Sequence, residues 1–344
     1  MIEQDLIARL NAGVELTPEE IDAASAALLH PDAPVETRAD FLRALTLKGE
    51  TPAEIAAFVR AFLRHAVRPP VDLAVLDRPA IDVCGTGGDR LGLFNISTAS
   101  MFLLAGAGAT VVKHGNRGVT SPSGSADVLE ALGVPVSLTP EAFAEHIRRH
   151  HLGFMLAPAY HPAFKTVAPV RKKLADEGTR TIFNIIGPLL NPLQPDFQLA
   201  GVFADELVHP YARIMADLGR KRAWAVHGHT ADGRGMDELS TLGPTHVARA
   251  ENLAVSEETI DLSRDYPPAR LAQLAGGSAK QNAEVIESLL RGEIQGPKRD
   301  IVVANAAAGL VVCGLAASLD EGRAKAAEAL DSRRALAVLQ AVRA

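Results

Sequence analysis

A short apolar run that breaks into glycines and then into a helix sets the narrowest limits on this fold. Ala80-Ile81-Asp82-Val83-Cys84 reads as a strand and Gly85-Thr86-Gly87-Gly88-Asp89 as a tight turn. A helix follows from Asn95, with Ala99, Phe102, Leu103 and Gly106 on one face. The pattern then recurs. Thr110-Val111-Val112-Lys113 is the next strand, and its loop His114-Gly115-Asn116-Arg117-Gly118 leads to a helix expected to be capped by Ser125 and to run to Gly133. Further strands are expected at residues 153–156, 199–203 and 223–226. Strands separated by helices cannot pair through tight hairpins, so the alternation predicts an α/β fold with a largely parallel sheet covered by helices.

Residues 1–72 carry a different pattern. Thr17-Pro18-Glu19-Glu20 and Thr51-Pro52-Ala53-Glu54 repeat one helix start: a hydroxyl N-cap, proline in the first turn and a glutamate that can bond back to the cap. Behind the second, Ile55, Phe58, Val59 and Phe62 recur at helical spacing and mark one buried face, while Gly49 closes the helix before it. Arg68-Pro69-Pro70-Val71-Asp72 cannot continue a helix and reads as a linker. The expected organisation is therefore a small helical domain, residues 1–72, and a larger α/β domain, residues 73–344.

Composition narrows the function classes. Hydrophobic residues make up 47% and charged residues 22%, which suits a packed globular chain. Aromatics are only 4%, so the core is expected to rest on Ala, Leu, Val and Ile. A formal net charge of -6 disfavours nonspecific nucleic-acid binding, which needs surplus Lys and Arg against phosphate. Cys84 and Cys313 stand far apart in apolar surroundings and are expected as buried reduced thiols. Met1-Ile2-Glu3-Gln4-Asp5 has no basic stretch before an apolar core, so a cytoplasmic protein is expected. The uncharged stretch 301–319 approaches membrane-spanning length, but its Ala-rich start and Gly309 and Gly314 favour a buried helix.

Four clusters could carry chemistry. Glycines between a strand and a helix let backbone amides approach an anion, and the helix N-terminus adds positive potential. The loop 85–89 is not a nucleotide-triphosphate loop, because Asp89-Arg90 stands where Gly-Lys-Ser/Thr would, and Arg90 replaces the third glycine of a dinucleotide fingerprint. Asn95-Ile96-Ser97-Thr98 is open to two readings, a plain helix cap or a set of phosphate and metal contacts. Lys113-His114-Gly115-Asn116-Arg117 places two cations on a loop after a strand, where open α/β sheets bind ligands. Asp237-Glu238 is an adjacent carboxylate pair, either a solvated surface pair or a site for Mg2+ beside phosphate. His227-Gly228-His229 and His150-His151 find no third ligand at useful spacing and carry no metal expectation.

Taken together, these motifs resemble the anthranilate phosphoribosyltransferases. The resemblance runs through residues 82–89, 94–100, 113–117 and 123–133, then His161-Pro162-Ala163, Val167-Ala168-Pro169-Val170-Arg171, Thr181-Ile182-Phe183-Asn184, Gly187-Pro188-Leu189, Asn191-Pro192 and Asp237-Glu238-Leu239-Ser240. It covers nearly the whole chain. It implies a fold related to the nucleoside phosphorylases and transfer of the phosphoribosyl group of 5-phosphoribosyl 1-pyrophosphate (PRPP) to anthranilate, in tryptophan biosynthesis. It implies PRPP contacts from Gly85, Gly88, Asp89, Asn95, Ser97 and Thr98. Lys113, His114, Gly115, Asn116, Arg117, Gly118, Val119, Thr120 and Ser121 would form a second lip, with Ser125 reaching the same ligand. Two magnesium ions are implied, one touching Ser97 and the other held by Asp237 and Glu238.

Anthranilate would lie towards the helical domain against Gly85, Asn116 and Arg171, with the segment 163–195 folded back onto the N-terminal helices. The family is typically a homodimer formed through its helical domain. No side chain is implied as a catalytic acid or base, since an aromatic amine is neutral at pH 7 and positioning dominates. Two departures stand out. Leu93 occupies a place where many members have a threonine, so only its backbone could serve. The stretch 173–180 is slightly longer than the usual connection. A pyrimidine nucleoside phosphorylase should lack Asn-Ile-Ser-Thr together with Asp-Glu, and a nucleic-acid-binding relative should lack the glycine loop and show a basic face.

Overall fold

The structure, a computed structural model, describes residue 2, residues 4–118 and residues 122–343. The chain forms two compact units, Met1–Arg68 with Pro158–Pro192, and Pro69–Ala157 with Leu193–Ala344.

In the helical unit both repeated start signals act as caps. Thr17 Oγ1 accepts from Glu20 N and Thr51 Oγ1 from Glu54 N, each at 3.3 Å, and each glutamate accepts the cap residue's own N–H at 2.9 Å. The helices Pro18–Leu29 and Pro52–Leu63 follow, and Val35–Lys48 ends at Gly49, whose φ of 84° only glycine adopts freely. Glu54 does more than cap. Its carboxylate also takes Leu16 N at 2.9 Å and Lys48 Nζ at 2.7 Å, an ion pair almost wholly buried. The core of this unit departs from the aliphatic expectation. Phe62 packs edge-on against Phe164 at 5.3 Å and stacks on Phe183 at 5.6 Å, with Phe58 and Phe41 extending the cluster. Scarce aromatics are thus concentrated where the segment 158–192 meets the helix Pro52–Leu63 within this unit. The buried Arg38 ties the same segment down, donating to Leu28 O at 3.1 Å and Thr166 O at 2.8 Å.

The second unit is built on one sheet. Its strands are β1 (Ala80–Gly85), β2 (Thr110–Gly115), β3 (Leu152–Leu156), β4 (Phe197–Gly201), β5 (Arg222–His229), β6 (Gly235–Met236), β7 (Pro244–Glu251) and β8 (Ala254–Asp261). Their order is β3-β2-β1-β4-β5-β7-β8, with β6 on β5. From β3 to β5 every pairing is parallel; β6, β7 and β8 are added antiparallel. The sheet is therefore mostly parallel, as the alternation predicts, and its apolar runs are buried on both faces. The β7–β8 hairpin goes beyond the strands expected from sequence. Its turn uses Asn252 and Leu253 at φ 49° and 68°, so a leucine rather than a glycine takes the left-handed place, and exposed Glu257 and Glu258 keep the edge strand polar.

The uncharged stretch 301–319 resolves into most of one buried helix, Pro297–Val312, a turn through Gly314 and the first residue of Leu319–Asp331. Among the described residues no helix is long and apolar enough to cross a membrane. Both cysteines are free and buried.

Candidate active site

The chain crosses the sheet outward from β1 through β2 to β3, then returns to the other side of β1 to add β4 and β5. At such a switch point the connections leaving adjacent strands diverge, and a crevice opens at their carboxyl ends. Here those ends are Gly85 on β1 and Gly201 on β4, which pair in register. The segment Met236 to Ser240 crosses directly over them, and this explains the glycines. A Cβ on Gly85 would stand 2.3 Å from Asp237 Oδ2, one on Gly201 1.7 Å from the Asp237 carbonyl oxygen, and one on Gly228 of β5 2.4 Å from the Glu238 carbonyl oxygen. Three adjacent strands thus end in a shelf on which only backbone without side chains lets the acidic pair lie.

On that shelf the two carboxylates reach different partners. Asp237 Oδ2 accepts from Gly87 N at 2.8 Å, and Glu238 Oε1 accepts from Ser97 N at 3.2 Å. The glycine loop and the helix start, separate in sequence from the acidic pair, are thereby brought onto it. Gly87 and Gly88 have φ of 70° and 96°, which aims their amides in ways L-residues rarely allow. Lys113, expected at the end of a strand beside the ligand loop, is buried within β2. Its Nζ donates to Val83 O and, at 3.2 Å, to Ser97 Oγ.

The electrostatics follow from crowding. Burial, reinforced by the charge of Asp89, pushes the Asp237 carboxyl up to about 7. Glu238 is pushed well above the usual carboxylate range by burial and by Asp237, with Lys113 opposing the rise. In their ionised form, carboxylates so placed would be stabilised by positive charge. Among the described residues no group of three or more His, Cys, Asp or Glu is arranged to hold a metal ion. The pair therefore fits a hard divalent cation that takes its remaining oxygens from water and a phosphorylated ligand, not a closed protein cage.

The other expected residues divide. Asn95 stands at the N-cap of Ile96–Gly106, yet its side chain makes no cap bond; Oδ1 accepts from Asn282 Nδ2 at 2.8 Å and Ser123 Oγ at 3.3 Å. Thr98 is fully buried, and its hydroxyl has no hydrogen-bond partner among the described residues. Asp89 Oδ1 accepts from Leu91 N at 3.2 Å. His114 is buried, its N–H on Asp82 Oδ1 at 3.3 Å, and Gly115 ends β2. Asn116, Arg117 and Gly118 are exposed. The Arg117 guanidinium is committed to Glu130, at 2.5 and 2.6 Å, and to Asp127 at 3.1 Å, so it shapes the loop. Val119, Thr120 and Ser121 lie outside the described residues.

Ser125 does not cap its helix. It is the first residue of Ser125–Ala131 and Gly124 is the cap, because Asp127 Oδ2 already accepts Gly124 N at 2.9 Å and Gly118 N at 2.8 Å. Arg171 belongs to the helical unit, on Ala168–Asp176, exposed, with its guanidinium 5.6 Å from the Phe183 ring. Leu93 pairs through its backbone with Ala275. His227 is a core histidine whose Nδ1 meets Val202 O at 2.7 Å.

Sequence reasoning missed Asn282, Asn305, Gly201 and Gly228. Asn282 is buried and joins Asn95 to Ser123, donating to Ser123 Oγ at 2.9 Å. The available signal is an asparagine among apolar helical residues, which needs partners if buried.

The chain thus joins a helical unit to an α/β unit whose switch point gathers a glycine loop, a buried lysine and an acidic pair. The chain matches the glycosyl transferase family model for the a/b domain over residues 77–336 and the one for the helical bundle domain over residues 4–66. It is 40% identical over 339 residues to the anthranilate phosphoribosyltransferase of Desulfatibacillum aliphaticivorans, covering 98% of this chain and 97% of that protein. The crystal structure of the Thermus thermophilus anthranilate phosphoribosyltransferase superposes with a TM-score of 0.88 at 38% identity, covering 99% of this chain and 100% of that one. The structure of the Saccharomyces cerevisiae enzyme in complex with PRPP and Mg has a TM-score of 0.84 at 26% identity, covering 99% of this chain and 98% of that one. The chain belongs to the anthranilate phosphoribosyltransferase family.

Proposed function

We propose that this enzyme transfers the 5-phosphoribosyl group of PRPP to the amine of anthranilate, releasing pyrophosphate, in tryptophan biosynthesis. The observation that carries the reading is the convergence of Gly87, Ser97, Lys113, Asp237 and Glu238 on the carboxyl ends of β1 and β4, in a chain of this family. PRPP lies along Gly85, Gly88 and Asp89, along Asn95, Ser97 and Thr98, and against the second lip from Lys113 to Ser121 with Ser125. Ser97, Asp237 and Glu238 would hold Mg2+, two ions per site; the yeast relative's complex with PRPP and Mg supports the use of Mg2+. Bound Mg2+ supplies the positive charge that the departing pyrophosphate requires.

The chain's own groups do the rest. Amides of the glycine loop and the helix start that the acidic pair does not occupy would meet the phosphates, and Lys113 holds Ser97 and balances the acidic pair. As the C1–oxygen bond breaks, the ribosyl carbon becomes cationic. The neutral anthranilate nitrogen attacks it from the opposite face and releases one proton to solvent. Gly85, Asn116 and Arg171 bind anthranilate, the Arg171 fork matching both carboxylate oxygens. The same reading takes the enzyme as a cytoplasmic homodimer formed through the helical unit. The assay is loss of anthranilate fluorescence with PRPP and Mg2+. Turnover that stops on chelation and resumes with added Mg2+ is expected, and a folded protein that leaves anthranilate untouched would overturn the reading.

A further inference from the structure

The acidic pair sits on a segment that must hold its shape while charge gathers on it, and the fold clamps that segment at three places. Met236 pairs with Gly228 of β5 on one side. Ser240 Oγ donates to His229 O at 2.7 Å on the other. Between them the Leu239 backbone is held from below by a single side chain. Asn305 Oδ1 accepts from Leu239 N and Asn305 Nδ2 donates to Leu239 O, both at 2.9 Å, so a side-chain amide imitates the two-point pairing of a strand.

We infer that Asn305 is a positioning residue for the acidic pair, acting through Leu239 to fix the direction of Glu238 and Asp237. The helix around it makes a plain structural reading insufficient. Asn305 is the one polar side chain from Ile301 to Val312, in a run otherwise of Ile, Val, Leu, Ala and Gly. Asparagine is a poorer helix former than the alanines beside it, and a buried amide is tolerated only when its groups are paired. Here they are: the second Nδ2 hydrogen goes to Ile301 O at 2.9 Å. Two of its three bonds are spent on Leu239. Asn305 is 2% exposed and Leu239 is fully buried, so bulk solvent does not compete for these bonds.

The geometry sets what is controlled. Leu239 N belongs to the peptide unit that carries the Glu238 carbonyl. That carbonyl already rests against Gly228, where a Cβ would come within 2.4 Å. One side of the peptide lies against the glycine shelf and the other is bonded to Asn305, so the peptide plane from which the Glu238 side chain reaches Ser97 N, 3.2 Å away, is fixed. Asn305 acts through Leu239 on the pair that would hold the metal.

This inference rests on the reading of Asp237 and Glu238 as magnesium ligands, so the experiment tests both. Mn2+ binding is measured by water-proton relaxation with the full-length protein and PRPP, alongside steady-state rates at varied Mg2+ and varied anthranilate. Asn305→Leu keeps the branched outline, at a larger volume, and removes both bonds to Leu239; Asn305→Ser removes them with a smaller side chain, should the first not fold. Leu310→Ala, a fully buried truncation on the same helix, gives the effect of general destabilisation. For an Asn305 variant we expect a tenfold or greater loss in Mn2+ affinity and a matching rise in the Mg2+ needed for half activity, with the KM for anthranilate within twofold of wild type. Wild-type Mn2+ affinity, or a loss no larger than in Leu310→Ala, overturns the role of Asn305. Asp237→Asn with Glu238→Gln separates the premise: if that double variant binds Mn2+ like wild type, the metal reading fails; if it loses affinity while Asn305→Leu does not, only the positioning inference fails.

Discussion

Glycine at the strand ends carries as much of the site as the charged residues do. Gly201 has no chemistry of its own, yet a Cβ there would come within 1.7 Å of the Asp237 carbonyl oxygen. The only relief is to lift the acidic segment off the shelf. Gly201→Ala is therefore expected to lower kcat by roughly a hundredfold, the scale of an ångström misplacement, while thermal unfolding still shows a cooperative transition. A variant within twofold of wild type would show that the segment gives way freely and that the shelf is not needed. Asp237 and Glu238 were legible as a pair because adjacent carboxylates near glycines suit a hard cation. Lys113 was legible as a cation but not as a buried one, since nothing in Thr110-Val111-Val112-Lys113 reveals that its side chain turns back to Val83 O and Ser97 Oγ.

At the scale of elements, the two Thr-Pro-x-Glu starts show how far local pattern carries. Both were legible because capping is decided within four residues. What the second glutamate does beyond capping was not. Glu54 also neutralises Lys48 and satisfies Leu16 N in a place where both side chains of the pair are nearly inaccessible. Thr51→Ala should cost about 1 kcal/mol, the usual worth of a cap. Glu54→Ala should cost about 3 kcal/mol or more, because it strands a buried ammonium and a backbone N–H as well. Urea titrations of the two variants check this, and equal losses would reduce Glu54 to its cap.

For the molecule as a whole, acid stability has a named contributor. His146 lies on the helix Pro140–His150, half-buried, and burial first, then the neighbouring His150 ring, pushes it down to about 4 from 6.5. The unfolded chain therefore binds this proton more readily than the folded one, so stability is lost as pH falls from 6.5 towards 4 and the loss levels off below that. His146→Gln removes this one component. Relative to wild type the variant should gain stability steadily through that window and be constant outside it, as read by denaturant titrations at stepped pH. A difference independent of pH would assign the acid limb to other groups, among them His161, which burial also pushes down.

What this sequence determined by itself is what depends on near neighbours. Helix starts, the apolar runs of β1 and β2, the glycine loop and the parallel character of the sheet all follow from residues a few positions apart, and together the motifs were specific enough to point to the family. The tertiary structure alone decided the rest. It set β4 beside β1 and so created the switch point, laid Asp237 and Glu238 over Gly85, Gly201 and Gly228, and brought Asn305 under Leu239, 66 positions away in sequence. It also added the antiparallel β7–β8 edge, whose turn carries no glycine to announce it. The physical reason is common to all of these. A glycine required by close approach, or an asparagine required by a buried backbone pair, is dictated by a partner far along the chain, and no local propensity records that partner.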